Sequence, residues 1–94
     1  MRGRETKFVI DRMYQKLAKW LRILGYDTLC EPDFVDQDFI RAAKAENRVL
    51  VTRDEQLAHR ARKLEIKVIT VDAPTIEERL AFLAKEELID LVFP

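Results

Sequence analysis

The sequence has no serine, one asparagine (Asn47), one histidine (His59), one cysteine (Cys30) and two glycines (Gly3 and Gly25). Each shortage closes a class of chemistry. Without serine there is no serine nucleophile, and without a glycine-rich phosphate loop neither a P-loop nor a dinucleotide-binding Rossmann site has support. A single cysteine excludes an internal disulfide and an all-cysteine metal centre, and it fits a reducing compartment. No apolar run approaches the ~18 residues of a membrane span and no signal-peptide pattern opens the chain, so a cytoplasmic protein with no membrane partner is expected. Net charge is missing too. The 17 basic and 17 acidic residues cancel, so binding of nucleic acid needs a local basic patch. Few amides beside 36% charged residues is a composition thermophiles favour.

What is present alternates. With 94 residues and 48% hydrophobic content, the chain suits one domain, 1–94, around one core. Polar residues 1–6 read as loose. Phe8-Val9-Ile10 reads as a strand apolar on both faces. Segment 12–24 follows with helical period, placing Met13, Leu17, Trp20, Leu21 and Leu24 on an inward arc, and Gly25 is a suitable stop. A second strand is expected over Asp27–Cys30, then a turn at Glu31-Pro32-Asp33. Asp36 is expected to cap a helix over 37–46 with Phe39, Ile40 and Ala43 inward. Arg48–Thr52 is the strongest strand signal. Asp54 is expected to open a helix over 55–64, with Leu57, Ala58, Ala61 and Leu64 inward. Ile66–Val71 reads as a fourth strand, and Thr75-Ile-Glu-Glu has capping-box spacing for a helix over 76–87.

The order β-α-β-α-β-α-β-α implies an α/β fold, a four-stranded parallel sheet with helices on both faces. The strand order 2-1-3-4 puts a switch point between strands one and three, where ligands of such sheets bind. Asp11 and Asp54 follow those two strands, Asp36 and Asp38 stand at the second helix, and Asp72 ends strand four. Carboxylates converging there suit Mg²⁺ or Mn²⁺, hard ions that activate water and neutralise a phosphodiester. The same aspartates are also ordinary helix caps, and spacing alone does not choose.

Basic residues Arg12, Lys16, Lys19 and Arg22 form a stripe that starts beside Asp11. It is either a track for a nucleic-acid backbone or the solvated face of an amphipathic helix. Thr52-Arg53-Asp54 offers a hydroxyl to orient a carboxylate and a guanidinium fork for phosphate. His59 reads as solvent-facing, and Cys30 and Trp20 as core. A receiver domain would need an acidic pair after strand one, where Asp11 is followed by Arg12.

Four stretches together resemble the Mut7-C RNase family of the PIN-like nuclease superfamily. They are Phe8-Val-Ile-Asp11-Arg-Met13, Leu17-Ala-Lys-Trp20-Leu-Arg-Ile-Leu-Gly25-Tyr-Asp27-Thr28, Asp36-x-x-Phe-Ile-x-x-Ala43 and Arg48-Val-Leu-Val-Thr-Arg-Asp54. The similarity runs in register from about residue 7 to residue 90. It implies a PIN-like three-layer α/β/α fold and metal-dependent cleavage of RNA. By that resemblance Asp11, Asp54 and Asp36 would be the acidic metal-binding positions, with Asp38 in reserve for Asp36 and Asp72 a looser fourth; on the reading of the residues themselves, Thr52 would orient the site. Arg12, Lys16, Lys19, Arg22 and Arg53 would guide the RNA. Members of the family usually continue into a four-cysteine zinc ribbon, which these 94 residues do not include. The competing expectation is a non-catalytic PIN-like module that binds RNA or a protein partner. The apolar tail (Leu88, Ile89, Leu91, Val92, Phe93) is free to pack on its own core, on a homodimer mate or other protein, or on a ribbon.

Overall fold

Three consecutive apolar residues suit a strand covered on both faces. In the computed structural model, which describes residues 5–91, Phe8–Ile10 forms β1 and is buried throughout. A 3₁₀ turn, Arg12–Tyr14, leads into α1 (Gln15–Ile23). Then come β2 (Thr28–Leu29), α2 (Asp36–Glu46), β3 (Val49–Val51), α3 (Glu55–Lys63), β4 (Val68–Ile69) and α4 (Ile76–Lys85). All strand pairings are parallel and the order is β2-β1-β3-β4, as the alternation predicts.

Side-chain alternation divides the core into two layers. Phe8, Ile10, Val49, Val51 and Ile69 point to the face covered by Tyr14, Leu17 and Leu21 of the first helical segment and Leu83 of α4. Val9, Leu50 and Val68 point to the other face, covered by Phe39, Ile40 and Ala43 of α2 and Leu57, Ala58 and Ala61 of α3. The three-layer α/β/α arrangement is that of a PIN-like fold. Among the described residues no helix is long and apolar enough to cross a membrane.

Several local expectations are corrected. Tyr14 N donates to the Asp11 carbonyl, which tightens the first turn to 3₁₀ and shifts the helical phase. Tyr14 therefore turns inward, while Met13 is 55% exposed and Trp20 is half-buried. Asp36 does not cap α2 but is its first residue. Val35 holds the cap position, and its N–H is satisfied by the Asp38 carboxylate at 2.9 Å. Leu64 lies past the end of α3 and is 46% exposed. The strands are shorter than expected, and beyond the fourth the Val71 carbonyl accepts from the Tyr14 hydroxyl. Thr75 caps α4 by accepting from Glu78 N. In the tail, Leu88 and Ile89 pack on the α1–α4 core, and Leu91 is exposed. Val92 and Phe93, and residues 1–4 of the loose N-terminal stretch, lie outside the described residues.

At the end of the sheet where β1 and β3 begin, the buried Arg48 guanidinium holds three segments together. It donates to the Phe8 carbonyl (3.1 Å), to the Asp27 carbonyl and carboxylate, and to the Glu46 carboxylate at 2.8 Å. Burial opposes its charge, but bonds to Glu46 and Asp27 outweigh that and raise its pKa. Asp27 and Glu46 are half-exposed, so their carboxylates rehydrate if the arginine is lost, and the Phe8 and Asp27 carbonyls keep their bonds in the β1–β2 ladder. Arg48→Met should therefore cost ~1.5–3 kcal/mol, the range for lost hydrogen bonds to a charged group. Urea melts should show a lower midpoint at unchanged slope.

Candidate active site

The parallel register sets Ile10 beside Val51, so the next residues, Asp11 and Thr52, leave the sheet as neighbours. The ladder continues one step beyond the strands, with Asp11 N donating to the Val51 carbonyl at 3.0 Å and Thr52 N to the Ile69 carbonyl at 3.2 Å. Thr52 is fully buried. Its hydroxyl donates to Asp11 Oδ2 at 3.2 Å and accepts from Asp54 N at 3.1 Å. One donor and one acceptor are thus both used, and the threonine ties the Asp11 carboxylate to the Asp54 backbone. Each aspartate also caps. Asp11 Oδ1 accepts from Met13 N at 3.2 Å, and Asp54 Oδ1 accepts from Gln56 N and Leu57 N at 3.0 and 3.1 Å. Capping engages Oδ1 in both residues. Oδ2 meets the Thr52 hydroxyl in Asp11 and no hydrogen-bond donor among the described residues in Asp54.

The remaining acids have partners of their own. Asp36 pairs with Arg60 of α3 at 3.5 Å, Asp38 with Arg41 at 3.2 Å, and Asp72, with an 89% exposed side chain, with Arg53 at 3.5 Å. Among the described residues no three His, Cys, Asp or Glu side chains come close enough to hold a metal ion. The structure therefore joins Asp11, Thr52 and Asp54 and keeps Asp36, Asp38 and Asp72 in ion pairs. The donor set of Asp11 and Asp54, two carboxylates with no nitrogen or sulfur, is one that fits a hard divalent cation.

The Mut7-C RNAse domain family matches residues 6–92, nearly the whole chain. The chain belongs to that family. It is thereby a member of a nuclease family, for which a divalent metal and an RNA substrate are the usual requirements. No curated protein and no solved structure matches it.

Two further features of this Mut7-C domain border the aspartates; sequence reasoning missed the first and found the basic residues, but not the hollow, of the second. Tyr14 is fully buried, its hydroxyl donates to the Val71 carbonyl at 2.6 Å, and the Arg79 guanidinium lies 5.2 Å from its ring centre. Arg79 Nε in turn donates to the Ala73 carbonyl. This clamp fastens the loop carrying Asp72. Burial raises the Tyr14 pKa; Arg53 and Arg79 pull it down, and Asp11 and Asp72 push it up, so all four charged groups lie within its field. The only signal in the sequence was the Asp11 cap, which permits a 3₁₀ start.

The second feature is an open depression of about 450 Å³ lined by Gln15, Lys16, Lys19, Arg22 and Cys30. Cys30 is half-buried and packs against the edge of the core, with Sγ 3.9 Å from the Asp11 carbonyl. Burial raises its pKa, with Asp11 and Glu31 adding to the rise and Arg22 opposing it. Arg22 is anchored by donating Nε to the Thr28 carbonyl at 3.1 Å. Arg12 is exposed next to Asp11, and His59 is exposed as expected.

Two outcomes follow from this geometry. Because the Tyr14 pKa is raised above its ordinary 10.0, the folded state holds that proton more tightly than the unfolded state. The stability difference between wild type and Tyr14→Phe should be constant below pH 10 and shrink as pH rises above it, read from denaturant melts at a series of alkaline pH values. Asp54→Ala should lose ~0.5–2 kcal/mol through the missing cap, whereas Asp54→Asn, an equivalent capping residue, should melt close to wild type.

Proposed function

We propose that this Mut7-C domain is a Mg²⁺- or Mn²⁺-dependent ribonuclease that hydrolyses RNA phosphodiester bonds at the end of strands β1 and β3. The observation that carries this reading is the Asp11–Thr52–Asp54 chain of hydrogen bonds at the switch point of a nuclease-family sheet. Asp11 and Asp54 would hold the metal ion. When bound there, such an ion makes water nucleophilic near neutral pH and offsets charge on the phosphate.

The protein's own residues supply position. Thr52 fixes the rotamer of Asp11 through Oδ2, and the α3 N–H groups fix Asp54 through Oδ1, so neither carboxylate has to be ordered when substrate arrives. Arg53, half-exposed and paired only at 3.5 Å with a well-solvated Asp72, is available as a fork for a phosphate. Arg12 adds positive charge beside Asp11. Asp36, Asp38 and Asp72 serve as further ligands only where their present ion pairs are released.

The second reading, a non-catalytic module that binds RNA or a protein, is favoured by one observation. Both central aspartates already act as caps, and no third carboxylate joins them among the described residues. Cleavage of a labelled RNA with EDTA, Mg²⁺ or Mn²⁺ separates the readings. The expected result is metal-dependent cleavage that falls at least 100-fold in Asp11→Asn and in Asp54→Asn, together with a metal-induced rise in melting temperature that Asp11→Asn loses. Unaltered cleavage by Asp11→Asn, or no melting shift at millimolar metal, would falsify the assignment.

A further inference from the structure

The charges of this protein cancel in sum but not in place. Arg41, Arg48, Arg53 and Arg60 are each compensated by a carboxylate. In the depression beside α1 the situation differs. Its lining contains three cations and no carboxylate, and among the described residues Lys16 and Lys19 have neither an ion-pair nor a hydrogen-bond partner. Arg22 is held from behind by the Thr28 carbonyl, which fixes where its charge sits. The floor is Cys30, whose sulfur approaches the backbone carbonyl of Asp11. The depression therefore adjoins the strand end where the candidate carboxylates stand.

From this we propose that the α1 depression is the subsite for the RNA strand on one side of the scissile phosphate. Lys16, Lys19 and Arg22 take successive phosphates, Gln15 offers a neutral donor and acceptor at the active-site end, and Cys30 lies beneath the bound backbone. The identity of the ligand as RNA rests on the ribonuclease reading; the place and the charge pattern do not. From Gln15 to Arg22 the helix rises about 10 Å. That distance accommodates two to three phosphates at ~3.4 Å per nucleotide of a stacked strand. The ring of donors is open to solvent along its length, so the site tracks a backbone rather than enclosing a free nucleotide. Arg53, which follows β3 rather than lining this depression, is left for the other side of the scissile phosphate.

Cys30 is the sole cysteine and provides a probe of the site that does not depend on turnover. The experiment uses the full chain as Asp11→Asn, so that bound RNA persists, with a single-stranded oligouridylate as ligand. Alkylation of Cys30 by N-ethylmaleimide should slow at least fivefold at saturating RNA. Adding Lys16→Gln and Lys19→Gln should remove that protection, weaken binding at least tenfold, and lower the slope of log Kd against log salt by about 1.4, at ~0.7 per phosphate contact on a single strand. Arg62→Gln, on the exposed side of α3, is the charge control and should leave protection intact. The lysine and arginine substitutions are at the surface, and circular dichroism melts unchanged from those of Asp11→Asn confirm the fold. Unchanged RNA affinity in the double variant, or undiminished Cys30 alkylation at saturating RNA, overturns the subsite. In the otherwise wild-type chain, cleavage with an unaltered KM after Lys16→Gln/Lys19→Gln would sink the subsite and leave the ribonuclease reading standing. Lysine-dependent protection of Cys30 in a protein whose wild type never cleaves RNA would do the reverse.

Discussion

The parallel pairing of β1 with β3 is the constraint on which the rest depends. Because Ile10 stands against Val51, Asp11 and Thr52 emerge side by side, and the threonine hydroxyl can bridge the Asp11 carboxylate and the Asp54 backbone. A shift of one residue would turn Val9 and Leu50 toward the wrong layer, so both core faces enforce the register that assembles the site. Packing and chemistry are thus specified by the same pairing.

The two ends of the sheet solve opposite electrostatic problems. Where β1 and β3 begin, a buried cation is neutralised: Arg48 meets two carboxylates and two carbonyls through Nε and Nη1, and its charge is spent on joining β1, the β2 approach and the end of α2. Where they end, charge is left over. Asp54 retains an oxygen, Lys16 and Lys19 have no partner among the described residues, and Arg53 holds its carboxylate only loosely. A domain with no net charge can present a charged working face because neutralisation is concentrated elsewhere.

Capping and the proposed metal binding by the aspartates, which look like rivals in the sequence, do not exclude one another in the structure. Capping engages Oδ1 of each residue, and the backbone donors hold the carboxylate in a fixed orientation. A cap is therefore a means of preorganising a ligand. Asp36 and Asp38 are engaged differently. Asp38 spends one oxygen on Val35 N and the other on Arg41, and Asp36 faces Arg60, so neither is tied into the Thr52 chain of hydrogen bonds.

The sequence by itself determined the β-α alternation, the strand order, the family and the placing of Asp11 and Asp54 at strand ends. Those features rest on local patterns: β-branched runs, helical periods and capping residues with fixed offsets. Phase errors arose where a tertiary bond altered a local rule. Tyr14 is inward and Met13 outward because a 3₁₀ turn opens the helix, and the Tyr14 hydroxyl then takes the Val71 carbonyl beyond the fourth strand. Only the tertiary structure decided which acids meet and which cations stay unpaired. Thr52 is 41 residues from Asp11, Arg60 meets Asp36 across two helices, and Cys30 reaches the back of Asp11 from beyond α1. Such contacts depend on which helices cover which face of the sheet, and no window of sequence contains that information.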